Sequence, residues 1–389
     1  MKRISIMVLI LSACCLSVAW GQQAGSKECT DWRQFHRQDM TRANPCEKVL
    51  SPHNVGALSL KWVHSPVGQV VLSSPAVANG VVYIGSGDRS LYALNAGTGA
   101  KLWRYTAGDN VDSSPAVVNG VVYVGSDDNN VYALKASTGA LLWSYTTGGQ
   151  VNSSPTVDNG VVYVGSWDGN VYALNASTGA LLWSYTTADG VFASPAVANG
   201  VVYVGSANEE SYEPEALYAL NASTGTLLWS YTTGSLVESS PAVANGVVYV
   251  GSDDGNVYAL NASTGALLWS YATGGGVSSS PAVANGVVYV GSGDDNMYAL
   301  NANTGALLWS YKTGLWITTS PAVANGVVYF ASSYLHNTTS HLYALSAKTG
   351  ALLWRYDISG QVYSSPAVAN GMVYVGSVQE RAVYAFGLQ

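Results

Sequence analysis

The sequence predicts an all-β fold, an eight-bladed β-propeller of four-stranded antiparallel blades in which an N-terminal strand completes the last blade. Three observations carry that reading. First, a Ser-Pro element recurs at Pro75, Pro115, Pro155, Pro195, Pro241, Pro281, Pro321 and Pro366. A Leu-x-Trp or Leu-Trp element recurs at Trp62, Trp103, Trp143, Trp183, Trp229, Trp269, Trp309 and Trp354. The period is 40 residues, broken by surpluses of one residue before Pro75, six between Pro195 and Trp229, and five between Pro321 and Trp354. Self-similarity at such a period marks stacked supersecondary units. Second, each unit divides into four short apolar runs separated by turn residues, and no 3.6-residue apolar stripe occurs. Third, the repeats begin with a fourth strand and end without one, so the two ends complement each other.

The elements follow in order along the chain. Met1-Lys2-Arg3 and the apolar run from Ile4 to Leu11 read as an export signal over residues 1–21. Ala19-Trp20-Gly21 offers a signal-peptidase site that would leave Gln22 first, whereas Leu11-Ser12-Ala13-Cys14 offers a lipoprotein box that would anchor the chain at Cys14. The first reading leaves an even pair, Cys29 and Cys46, which an exported chain would join as a disulfide within a leader of residues 22–57. The propeller then occupies residues 58–389, opening with a D strand from Leu58 to Val63. In the second unit, strand A is expected over Ser113 to Val118, B over Val121 to Ser126, C over Val131 to Leu134 and D over Ala140 to Thr146. The A–B connection is Asn-Gly in all eight units, the pair that suits a tight hairpin. Strand B is continuously apolar, which indicates a sheet covered on both faces, as blades in a ring are. The last unit ends after a C strand at Val383 to Phe386, which the strand at Leu58 to Val63 is expected to complete.

Composition narrows the function. Charged residues make up 10% of the chain, against roughly 25% in ordinary domains, while 48% are hydrophobic and Gly numbers 42. Disorder and coiled coils are thereby excluded. With a net charge of −7 and no Lys/Arg cluster beyond the first residues, nothing supplies a phosphate-tracking surface for nucleic acid. After the signal no apolar run approaches the ~20 residues of a membrane span. A monomeric exported protein is expected.

The string Ala133-Leu134-Lys135-Ala136-Ser137-Thr138-Gly139-Ala140-Leu141-Leu142-Trp143 resembles the tryptophan-docking motif of the pyrroloquinoline-quinone (PQQ) propeller family. Asn175, Asn221, Asn261 and Asn301 stand at its third place in other units, while Lys135 and Ser346 depart from the pattern. Asp31-Trp32, Ser51-Pro52-His53-Asn54-Val55 and Leu58-Ser59-Leu60-Lys61-Trp62 are also similar to that family's leader. The resemblance implies that the eight repeated tryptophans dock each blade on the next. It leaves two functional branches. One is the lipoprotein propeller of the outer-membrane β-barrel assembly machinery, a cofactor-free scaffold. The other is the PQQ- and calcium-dependent dehydrogenases of alcohols or sugars, which carry a Glu/Asn/Asp calcium set, a catalytic Asp and often a vicinal disulfide. The only adjacent cysteines here, Cys14-Cys15, lie in the signal. The near-identity of the repeats suits an amplified module better than an asymmetric active site, so a non-enzymatic scaffold with no cofactor and no metal is expected.

Other candidate chemistry has simpler explanations. Asp127-Asp128, Asp253-Asp254 and Asp294-Asp295 belong in B–C turns, where Asp supplies local hydrogen bonds. Glu209, Glu210, Glu213 and Glu215 read as a solvated acidic loop, and His336 with His341 lacks a third zinc ligand. The Asn-Ala-Ser sites at Asn175, Asn221 and Asn261 match a glycosylation acceptor but belong to the docking turn.

Specificity must come from positions that differ between matching blades. Three residues before each Ser-Pro proline stand Leu72, Asp112, Asn152, Phe192, Glu238, Ser278, Thr318 and Tyr363, on the channel rim at the D–A and B–C face. Both insertions, Trp167 and Trp316 belong to the same face. Asp112, Asn152, Phe192, Glu238, Trp316 and Tyr363 are the candidate contacts for a protein or other cell-envelope partner, the aromatic ones acting as anchors.

Overall fold

The computed structural model describes residues 29–65, 71–207, 214–333 and 339–389. The signal, Glu209, Glu210, Glu213 and His336 lie outside these residues. Eight sheets form the ring, each ordered A-B-C-D, and blade 7 gains a fifth strand from the leader, Ala43–Asn44, parallel to Ala322–Ala324. In blade 2 the strands are Ala116–Val118, Val121–Gly125, Asn130–Lys135 and Leu141–Thr146. Strand A is shorter than the sequence reading because Ser113 and Ser114 leave the blade to bond a neighbour. The Asn-Gly turn takes positive φ at both residues, 50° at Asn119 and 76° at Gly120, as a primed hairpin turn requires. Ser59–His64 pairs antiparallel with Ala382–Gly387 and completes blade 8, so the ring closes as the ends of the repeat array predict.

Two repeated devices join the blades. Each D strand carries a bulge before its tryptophan: Leu141 opposes Leu134 and Trp143 opposes Ala133, leaving Leu142 as the extra residue. The bulge turns the indole toward the next blade, where Trp143 Nε1 donates to Ala176 O at 2.9 Å. The corresponding bonds run from Trp62 to Ala96, Trp103 to Ala136, Trp183 to Ala222, Trp229 to Ala262, Trp269 to Ala302, Trp309 to Ala347 and Trp354 to Leu58. The second device lies at the axis. Backbone N–H groups donate to serine hydroxyls from Ser74 to Ser114, then to Ser154, Ser194, Ser240, Ser280, Ser320 and Ser365, and Ser365 N returns to Ser74 Oγ at 2.9 Å. This is a closed circle of hydrogen bonds, one per blade junction.

The leader runs a second circle on the A–B side of the first. Trp32 exchanges backbone bonds with Val77 of blade 1, and Arg33 O accepts from Val117 of blade 2. Gln34 Oε1 accepts from Val157 of blade 3, and His36 Nε2 bonds Ser194 O of blade 4. Met40, Thr41 and Arg42 carbonyls accept from Val243, Val283 and Val323 of blades 5, 6 and 7, and Asn44 Nδ2 donates to Val368 O of blade 8. Polar groups on the bare inner edges of the A strands, which would otherwise invite pairing, are thus met by one peptide. Arg42 is fully buried at its centre, donating to Pro321 O, Ser320 O and Phe35 O, with its guanidinium 4.3 Å from the Phe35 ring centroid. Burial, with Arg42 nearby, lowers the His36 pKa to about 3, so the imidazole is neutral.

Candidate functional site

The leader covers the A–B mouth of the axial channel, so the D–A and B–C mouth is the one where rim residues meet solvent. Strand alternation places that rim. Each D strand runs toward this face and the next A strand leaves it, which sets Asp112, Asn152, Phe192, Glu238, Trp316 and Tyr363 at the entries of blades 2, 3, 4, 5, 7 and 8. The structure brings some of them together. The Phe192 and Trp167 rings lie 4.7 Å apart at a 57° tilt, and Trp167 keeps 43% of its surface exposed. Trp316 keeps 38%. Asp112, Asp127 and Asn152 form a second group across blades 2 and 3, each with a buried Oδ1 that has no partner within the protein.

Electrostatics single out this group. Burial, then Asp127 and Asp109, push the Asp112 carboxyl up to about 7, and burial with Asp109 and Asp128 raises Asp127 to about 6. Each folded pKa exceeds its unfolded value, so the folded state binds more protons between about pH 4 and 7 and loses stability as pH rises through that window. Asp112→Asn is therefore expected to stabilise the protein at pH 8 by about 1–3 kcal/mol and to change nothing at pH 4, in urea melts at the two pH values.

The neighbouring acidic pairs divide by role. Asp128, Asp168, Asp254 and Asp294 are structural. Asp128 Oδ2 accepts from Tyr132 Oη at 2.6 Å and from Gly108 N at 2.6 Å, tying a B–C turn to the preceding D–A loop. The same pair of bonds occurs at Asp168, Asp254 and Asp294. Burial alone would raise the Asp128 pKa, but the bonds from Tyr132, Gly108 and Asn130 hold it below the usual range. Blade 4 lacks this aspartate. Glu215, buried instead of solvated, accepts from Ser206 Oγ at 2.5 Å and has its pKa raised by burial and by Asp189. His341 Nδ1 lies 2.8 Å from Asp357. The docking-turn asparagines act on their own backbone: Asn175 Oδ1 accepts from Ser177 N and Thr178 N.

Among the described residues no three His, Cys, Asp or Glu side chains gather as ligands. Cys29 and Cys46 are joined to each other in the leader, so neither stacks as a vicinal pair. Arg42, Trp32 and Phe35 fill the axial end that the leader covers.

Sequence reasoning missed the leader's part. Its signal was a concentration of Trp32, Phe35, His36, Arg37 and Arg42 in a chain with few charges, in a stretch outside the repeat. Both faces carry mixed charge: Asp109, Asp112, Glu238 and Asp253 share the rim face with Arg89, Lys312 and Arg381, while Lys61, Lys101, Lys135 and Lys348 lie at the C–D turn end with the arginines and carboxylates of the leader.

No curated protein matches the chain in sequence. Among solved structures, the quinohemoprotein alcohol dehydrogenase ADHIIG from Pseudomonas putida HK5 superposes with a TM-score of 0.81 at 18% identity, over 93% of this chain and 81% of that one. BamB from Moraxella catarrhalis gives 0.71 at 18% identity, over 85% and 99%. The computationally designed Ika8 protein gives 0.74 at 18% identity, over 84% and 99%. At such identities the likeness is one of fold. The sequence profile of the PQQ-repeat family described as outer membrane protein assembly factor BamB matches residues 32–150, 147–238, 187–276, 214–334, 253–357 and 315–387. Overlapping windows of one profile thus cover nearly all of the ring and most of its leader, and the chain belongs to that family of PQQ-like propellers.

Proposed function

We propose that the protein is an exported, non-enzymatic scaffold of the cell envelope that binds a protein partner through its D–A and B–C face. The observation that carries this reading is the division of labour between the two faces. One is covered at the axis by the leader, while the other holds the residues that break the eightfold repeat. Its aromatic side chains, Phe192 against Trp167, Trp316 and Tyr363, stand in a polar and acidic surround, the composition of an interface hot spot. The carboxylates favour a partner presenting basic groups, whose capture should weaken as salt rises. The family's BamB description agrees with a scaffold role, and the cysteine pair agrees with export to an oxidising compartment.

The test replaces Phe192, Trp316 and Tyr363 together by Ala. Capture of the envelope partner bound by the wild type should be lost, with the melting temperature within about 3 °C because blade cores and docking tryptophans are untouched. Undiminished capture by the folded triple variant would place the interface elsewhere. Uptake of PQQ with calcium, followed by alcohol or sugar oxidation, would overturn the scaffold reading itself.

A further inference from the structure

In seven of the eight blades strands A to D come from one stretch of chain, blade 7 adding the leader strand Ala43–Asn44, and only in blade 8 do the four come from both ends. The ring therefore has one seam that no peptide bond crosses, between Ser59–His64 and Ala382–Gly387. The leader belongs to the N-terminal side of this seam, yet it grips the C-terminal side. Asn44 Nδ2 donates to Val368 O at 2.9 Å, and Gly371 N donates to Glu47 Oε2 at 2.9 Å. The Thr30 hydroxyl donates to the Asn370 side chain. Val49 packs so closely on Gly371 that a Cβ there would lie 2.7 Å from it. Thus the A–B turn of blade 8 is held from two places, by residue 30 and by residues 44–49. The bond between Cys29 and Cys46 joins those two places, and Asn44 Nδ2 to Thr30 O at 3.0 Å runs beside it.

We propose that Cys29 and Cys46 form a redox latch for the seam of the propeller. The leader arc closes around the blade 8 turn when the two thiols are oxidised, and the seam gains mobility when they are reduced. In closing, the thiolate of one cysteine attacks a disulfide of an oxidoreductase or of oxidised glutathione and forms a mixed disulfide. The second cysteine, as its thiolate, displaces that carrier. The carrier's sulfurs take up the two electrons and the two protons that the cysteines lose, so it departs as a dithiol or as two thiols with no net release of protons. A dithiol reductant reverses each step. The contacts of residues 44–49 persist without the bond, but residues 29–31 are then held by hydrogen bonds alone, those of the Cys29 carbonyl, Thr30 and Asp31, and the arc around the turn is no longer closed covalently. Ring locking is thereby tied to arrival in an oxidising compartment.

The test is amide hydrogen exchange on the full chain, read by mass spectrometry, with and without dithiothreitol. Reduction should speed exchange of the Ala382–Gly387 amides by about 10- to 100-fold, because the strand then exchanges through a lower-energy sub-global opening. Exchange in the blade 5 strand Asn256–Asn261 should stay unchanged. A Cys29→Ser/Cys46→Ser variant should show the fast blade 8 exchange without reductant and no further response to it. If that variant does not fold, wild type reduced and alkylated in its native state gives the same readout. Unchanged exchange in blade 8 on reduction, or equal acceleration in all blades, would overturn the latch.

Discussion

Removing residues 29–64 is expected to give a protein that associates through blade 8 and melts at least about 10 °C lower. The deletion strips strand Ser59–His64 from Ala382–Gly387, whose outer edge then presents unpaired N–H and C=O groups to any other chain. It also removes Trp62, whose indole covers Gly99 and donates to Ala96 O at 2.9 Å, so the junction of blades 8 and 1 loses its docking contact. With the leader gone, the inner edges of the A strands lose Trp32, Arg33, Met40, Thr41 and Arg42 as partners. Size-exclusion chromatography with light scattering and a thermal melt check the result. A monomer with the melting temperature of the full chain would contradict the closure.

Replacing Trp269 by Ala should destabilise the protein by about 3–5 kcal/mol. The indole is buried to 9% exposure between blades 5 and 6. Its ring lies over Gly305, where φ is +71° and an added Cβ would come within 2.7 Å of the indole. Ala302 O accepts from both Trp269 Nε1 at 2.9 Å and Tyr249 Oη at 3.1 Å, so the substitution empties a cavity and strips one of two donors from a carbonyl. Urea denaturation measures the loss. A change below about 1 kcal/mol would show that the indole contributes as a surface group does.

The repeat made the ring legible because every blade uses the same residues for the same contacts. Trp143 at its fixed distance from Gly139, Asn119-Gly120 at the hairpin and the C strand lacking its D partner each fix a local geometry, and together they close a ring. The channel rim was legible as a set of positions, since variation against a repeated background needs no structure to see. Which rim residues meet was not legible. The contact of Trp167 with Phe192 joins a B–C turn to a D–A loop, and the raised carboxyls of Asp112 and Asp127 depend on shared burial across loops. The leader was least legible. Its bonds to seven A strands, and to Ser194 just before the eighth, follow the spacing of inner-edge backbone groups around a circle, and a single irregular peptide carries no period that records it. Glu215 shows the same limit on a small scale, since its burial replaces a Tyr–Asp bond that blade 4 lacks.

The circle traced from Trp32 to Asn44 has a consequence for how this protein can evolve. The repeated units are nearly interchangeable, so unequal recombination could add or drop a 40-residue unit without disturbing any blade core. The leader does not tolerate that change. Its donors and acceptors meet blades 1 to 8 in sequence and arrive at Val368 in register with the turn they must hold. A seven-unit ring would leave the peptide too long for its track, and a nine-unit ring would leave it short of the last blade. The leader thus serves as a gauge that fixes the copy number of a sequence otherwise free to expand or contract.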